Sequence, residues 1–250
     1  GNVVAPQTVV DQFGVDILRL WAVSSDYSED LRIGPEIIQA QVDTYRRLRN
    51  TLRYILGNLD GFAESERQPV AEMPELERWV LHRLAELDAL ARACCETFDF
   101  HRLFVALHSF CAVDLSSLYF DIRKDVLYCD APGTRRRRAA RSVLAELHSC
   151  LTAWLAPILC FTAEEAWLAR NPSEGESVHL RQFPEIPGEW RDDELKARWD
   201  QIRTLRRVVT GALEVERREK RIGSSLQAHV HVYGAGQFRD AVKNVDVAAI

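Results

Sequence analysis

Four long stretches carry apolar residues at helical spacing, and that periodicity limits the possible folds more than any other feature. Over 76–98, Leu76, Val80, Leu84, Leu87, Ala91, Cys94 and Phe98 recur at steps of three or four. Over 101–122 the same rhythm runs through Phe104, Leu107, Cys111, Leu115 and Leu118. Two further stretches begin at Gly34-Pro35-Glu36 and at Thr134, and the second continues to Leu155 before Pro157 breaks it. Short polar turns such as Ala131-Pro132-Gly133 separate the segments. Amphipathic helices joined this way predict a mainly α protein, an antiparallel helical bundle.

The flanks are less regular. A short helix is expected at 8–13 and a second at 15–23, led by Asp16. A polar loop at 24–30 and an extended piece at 31–33 follow. The helix begun at Pro35 should end near 57–61, and a polar linker leads to Met73-Pro74. Thr162 and Glu165 have the spacing of a capping box, which predicts a short helix stopping at Asn171-Pro172. Residues 173–189 are rich in Pro, Gly and acids, with one expected strand at 177–181. A long helix at 192–221 ends at Gly223-Ser224-Ser225, and L-Q-A-H-V-H-V-Y at 226–233 alternates like a strand. This last part reads as a partial small α/β unit.

The helix at 45–59, Y-R-R-L-R-N-T-L-R-Y-I-L-G-N-L, is the most informative for function. Arg46, Arg49, Asn50 and Arg53 follow the i, i+3, i+4, i+7 rule and share one face. Arg47 lies about 100° further round and is expected to sit off that face. The opposite side, with Leu48, Leu52 and Ile55, is apolar. Such a face is either a solvated helix surface or a site for phosphates and base edges, which guanidinium forks and an amide suit. The chain carries 32 basic and 37 acidic residues, a formal charge of −5, so concentrated basic charge is more than background. A second concentration lies at 123–141, with seven basic residues against two acids, and includes Arg123, Lys124 and the run from Arg135 to Arg138. Cations at a helix start oppose the macrodipole, so that run is either exposed first turns or a surface for a polyanion.

Several classes are excluded. Hydrophobic content of 47% and charged content of 28% are ordinary for a globular chain. No apolar run of about 18 residues is apparent, and the opening G-N-V-V-A-P-Q lacks a signal-peptide layout. Cys94, Cys95, Cys111, Cys129, Cys150 and Cys160 include no C-x-x-C and read as buried free thiols of a reducing cytosol. No P-loop, G-x-G-x-x-G, H-E-x-x-H or G-x-S-x-G occurs. His229 and His231 share a strand face, but two ligands alone do not define a metal site. The residues describe a chain that binds and does no chemistry.

The chain also resembles a known family. G-V-D-I-L-R-L-W (14–21), S-S-D-Y-S-E-D-L-R-I (24–33), the basic segment at 45–59, Y-F-D-I-R-K-D-V-L-Y-C-D (119–130), A-P-I-L-C-F-T-A-E-E-A-W (156–167) and E-R-R-E-K-R-I-G-S-S-L (216–226) are similar to bacterial isoleucyl-tRNA synthetase, a class I enzyme. Related enzymes for valine, leucine and methionine share several of these patterns; D-Y-S-E-D-L-R-I favours isoleucine. The resemblance covers nearly the whole chain and places it after the family's K-M-S-K-S loop. It implies the end of a stem-contact linker at 1–33, a helical anticodon-binding bundle at 34–171, a linker, strand and long helix at 172–222, and the start of a C-terminal junction domain at 223–250. It implies as partners the anticodon stem-loop of tRNA(Ile) and the rest of the synthetase chain, with no membrane, in a cytoplasmic monomer. Arg49, Asn50 and Arg53 would face anticodon bases and Arg46 neighbouring phosphates, with Arg123 and Lys124 also binding tRNA and Tyr54 a stacking candidate. Trp21 and Trp167 would lie at inner seams of the core. ATP, Mg2+ and structural zinc belong to the full enzyme. This stretch is expected to hold no cofactor or metal, no catalytic residue, and to make no isoleucyl-adenylate.

Overall fold

Gly34 is extended (φ −170°, ψ 166°) and passes the chain to Pro35, whose fixed φ suits a first helical position. The helix therefore begins where the sequence indicates. The computed structural model describes residues 4–26, 30–234, 236–243 and 245. Its helices are α1 (Pro6–Phe13), α2 (Val15–Ser24), α3 (Pro35–Asn58), α4 (Glu75–Thr97), α5 (Phe100–Ser109), α6 (Asp121–Cys129), α7 (Arg135–Leu155), α8 (Cys160–Leu168), α9 (Asp193–Arg218) and α10 (Gly236–Ala241). Between α5 and α6 the π-helical segment Phe110–Phe120 makes one unbroken rod, Phe100–Cys129. Two compact units result, Gly1–Arg191 and Asp192–Ile250, so the division falls inside the expected 172–222 segment.

In the first unit α7 is the central helix. Between Ala139 and Leu155 its side chains are buried on nearly every side, Trp154 completely. Trp79 of α4, which packs on α7, is fully buried, and Tyr119 of the π-helical segment reaches α7 with its hydroxyl 3.5 Å from Ala140 O. Leu48, Leu52 and Ile55 form the buried stripe of α3. Gly14 turns α1 into α2 with φ 88°, a conformation that suits glycine, and its N–H donates to Val10 O at 2.9 Å. Val9 and Ile17 then pack on Ile38, with Trp21, Val42 and Tyr45 around them, which seats the first two helices on the start of α3.

In the second unit Asp192 caps α9, its carboxylate accepting from Leu195 N at 2.9 Å. Arg198 donates to Ala241 O at 2.8 Å and Lys243 O at 2.6 Å, tying α10 to α9.

Several expectations are corrected. Thr162 does not cap a helix: α8 begins at Cys160, and the Thr162 hydroxyl donates to Asp16 Oδ2 at 2.6 Å. Residues 177–181 form no strand; a 3-10 turn, Val178–Leu180, starts from Ser177, whose hydroxyl accepts from His179 N at 3.2 Å. Residues 226–233 form no strand either: Leu226 and Gln227 belong to a 3-10 turn, Ser225–Gln227, and alternation makes a strand only beside a partner, while no strand occurs among the described residues. Trp21 and Trp167 are half-buried, and Trp79 and Trp154 hold the positions expected of them. Of the cysteines, Cys129 is exposed and Cys95 and Cys160 are half-buried; all six are free thiols. The rod Phe100–Cys129 is long and apolar enough to cross a membrane, against the sequence reading. More than half of its apolar window lies inside the molecule, and Asp114 within it pairs with Arg83 at 3.0 Å. Residues 27–29 of the expected loop, the opening 1–3 and the terminal 246–250 lie outside the described residues.

Candidate nucleic-acid interface

One groove runs between α3 and the rod. From α3 come Arg47, Asn50 and Tyr54, three and four residues apart and so on one side of the helix. Asp121, Lys124 and Tyr128 of α6 face them at the same spacing. The π-helical segment supplies the small residues Ala112, Ser116 and Ser117 between, and the groove measures about 780 Å³. Ser117 Oγ donates to Ala112 O at 2.9 Å, five residues back, as the wider π turn allows. A recess of about 400 Å³ adjoins it, lined by Asn50, Arg53, Tyr54, Gly57, Asn58 and Tyr128.

The six residues singled out in the sequence divide sharply. Asn50 and Arg53 line the groove or its recess and Lys124 lines the groove, its ammonium 2.9 Å from Asp121. Arg46 is exposed outside that lining and pairs with Asp43 at 3.3 Å. Arg49 turns the other way, toward α8. Its guanidinium donates to both carboxylate oxygens of Glu165 at 2.8 and 3.2 Å and to Tyr45 Oη at 3.3 Å. The hydrogen bond to Glu165 and then that to Tyr45 hold Arg49 above the ordinary arginine range, and the same Arg49 bond holds the Glu165 carboxyl below its own. Arg123 is a correction: it is buried, with its guanidinium 2.5 and 2.8 Å from the two oxygens of the fully buried Glu77.

The other basic run is structural too. Arg138 donates to Ser65 O at 2.8 Å and Glu66 O at 3.1 Å, Arg135 to Glu72 O at 2.9 Å, and Arg141 to Asp60 O at 2.8 Å. These residues recur every three positions, so one face of α7 staples the 60–72 connection by its carbonyl oxygens. Arg137 donates to Leu127 O at 3.2 Å at the end of α6.

Two groove residues escaped the sequence reading. Arg47 was expected off the binding face, yet it lies three residues before Asn50 on the side that meets the rod. Its i, i+3 relation to Asn50 was the available signal. Tyr128 sits opposite on α6 and had no local signal. Among the described residues, the side chains of Arg47, Asn50 and Arg53 have no hydrogen-bond or ion-pair partner, unlike those of Arg46 and Arg49. Tyr54 stacks on Phe120 (centroids 4.2 Å, 23°), and one face of its ring is thereby occupied. Burial, then Tyr128 and Asp121, raise the Tyr54 phenol, which stays neutral.

An all-helical bundle with unpaired guanidiniums and an amide along one groove is the arrangement of a nucleic-acid-binding domain. Residues 77–232 match the family described as the anticodon-binding domain of tRNA ligase, and the chain belongs to that family. Among relatives, the chain is 59% identical over 228 residues to the isoleucine–tRNA ligase of Agrobacterium fabrum, covering 91% of this chain and 23% of that one. To the isoleucine–tRNA ligase of Gluconobacter oxydans it is 56% identical over 230 residues, 92% of this chain and 24% of that one. The chain thus spans about a quarter of the length of the curated relatives it matches. A solved structure, the ternary LeuRS–tRNA–LeuAMS complex of Agrobacterium radiobacter, superposes with a TM-score of 0.57 at 20% identity. It covers 77% of this chain and 22% of that one, and the likeness is one of fold.

Proposed function

We propose that this chain is the anticodon-reading region of an isoleucine–tRNA ligase, an enzyme that joins isoleucine to tRNA(Ile) at the expense of ATP. The observation that carries the reading is the unpaired set Arg47, Asn50 and Arg53 along one groove of α3. Guanidiniums left without internal partners suit phosphate oxygens or guanine edges, and an unpaired amide suits the bidentate edge of adenine. Lys124 adds a point charge on the facing helix. Arg46 extends the basic surface beyond the groove, and Arg49 joins it only by exchanging Glu165 for phosphate.

In this reading 34–171 binds the anticodon stem-loop, 1–33 lies on the stem side, 172–222 links, and 223–250 begins the next domain. The remainder of the enzyme supplies the reaction, as a monomer in the cytoplasm. No cluster of three metal-ligating side chains occurs among the described residues, and in this reading ATP, Mg2+ and zinc belong to the remainder of the enzyme and not to these residues. No chemical step is assigned to them.

Affinity for tRNA(Ile) measured across salt concentrations tests the proposal. Each phosphate contact should contribute about −0.7 to −0.9 to the slope of log K against log[salt]. Steep salt dependence with preference for tRNA(Ile) is expected. A flat dependence would contradict the reading and indicate an apolar protein-binding surface instead.

A further inference from the structure

Three aromatic rings that line the groove, Phe120, Tyr54 and Tyr128, form a stair. Phe120 supports Tyr54 face to face at 4.2 Å, and Tyr54 meets Tyr128 edge-on, with centroids 6.5 Å apart at 74°. The three differ in exposure: Phe120 is buried, Tyr54 half-buried, and Tyr128 remains 66% exposed although it is a large aromatic. Tyr128 lies on the last turn of α6, and its ring rests against that of Tyr54. An exposed aromatic face backed on one side by a second ring offers a flat partner a surface to stack on.

The recess beside the ring defines that partner. Its volume of about 400 Å³ lies at the small end of ligand sites, enough for one planar group and too little for a duplex. Tyr128 and Tyr54 supply aromatic wall, while Asn50 and Arg53, both without partners among the described residues, line the same space. A planar π-face with donors and acceptors along its edge, carried on a polyanion, is an unpaired nucleobase.

We infer that Tyr128 is the stacking seat for a single unpaired base of the RNA loop, with Asn50 and Arg53 reading that base's edge. The inference rests on the anticodon-binding reading and assigns one residue of that site a specificity role. Tyr54 meets that ring edge-on. Arg47 and Lys124, further along the groove, hold the backbone on either side of the seated base.

The test uses the 250-residue chain and RNA hairpins whose loop bases are replaced one at a time by 2-aminopurine, whose fluorescence falls on stacking, or by an abasic sugar. For the unaltered chain, one loop position should be quenched on binding, and making that position abasic should weaken binding by roughly 5- to 100-fold. Y128A should lose the quenching and a similar factor in affinity, yet bind the abasic hairpin like the unaltered chain. Y128F should retain both properties. Because the ring is exposed, both variants should keep the helical circular dichroism of the parent. Salt-dependent binding by the parent together with unchanged quenching in Y128A would overturn the stacking seat and leave the anticodon reading standing. Equal losses by Y128A on intact and abasic loops would do the same. If the parent binds no hairpin at all, both inferences fall together.

Discussion

Arg123 and Lys124 are adjacent in sequence and have opposite environments. The guanidinium of Arg123 lies inside the bundle on the carboxylate of Glu77, with Tyr119 Oη a further 3.4 Å contact to Glu77, whereas Lys124 is half exposed on the groove. Removing Arg123 strands a carboxylate that has no access to water. R123A should therefore cost about 3–5 kcal/mol in chemical denaturation, and loss of RNA affinity should track unfolding rather than salt. His148 gives a prediction in pH. Its ring is fully buried, the Nε2–H faces Ala166 O at 2.9 Å, and chiefly burial brings its pKa down from 6.5 to about 4. Above pH 6.5 the ring is neutral in folded and unfolded chains and contributes no pH dependence. Between 6.5 and 4 only the unfolded chain takes up the proton, so stability falls as pH falls through that window, by about 3 kcal/mol at full extent. Denaturation midpoints of the parent and of H148Q, followed from pH 7 to 4, should converge by that amount. Parallel curves would contradict the assignment.

At the scale of elements, local signals were legible where local chemistry decides the outcome. Gly34-Pro35-Glu36 marks the start of α3, and the apolar rhythm of 76–98 and 101–122 marks α4 and the rod, because caps and periodicity act within a turn or two. Distant partners decided the rest. The Thr162 hydroxyl is bound to Asp16, 146 residues away in the chain, so its spacing to Glu165 carries no capping information. Arg49 leaves the anticipated face because Glu165, 116 residues further on, waits on α8. Asn50 and Arg53 were legible as groove residues, while Arg47 and Tyr128 depend on which side of α3 the rod covers. The Arg135–Arg138 run was ambiguous in sequence and is resolved by the carbonyls it meets. R138A, which removes donors to Ser65 O and Glu66 O, should cost about 1–2 kcal/mol. R136A, on an exposed side chain of the same turn, should stay within about 0.5 kcal/mol. Thermal or urea unfolding of the pair checks the distinction; equal effects would mean that the staple does not act.

For the whole molecule, a net charge of −5 means that attraction for RNA is local rather than global. Much of the positive charge is already engaged: Arg49, Arg123, Arg135, Arg138 and Arg141 are all held by internal acceptors. Arg47 and Arg53 of α3 are left without internal partners among the described residues and line the groove and its recess, and the central claim is that this groove distinguishes one anticodon loop from another. The most direct test compares affinities for a hairpin bearing the isoleucine anticodon and for one altered at a single anticodon base, using the parent chain, N50A and R136A. Loss of a bidentate base contact is worth about 1–3 kcal/mol of discrimination, so N50A should shrink the matched-to-altered ratio by roughly fivefold or more. R136A, outside the groove, should leave the ratio unchanged. If N50A preserves the ratio, or R136A erodes it equally, then the groove between α3 and the rod does not read the anticodon.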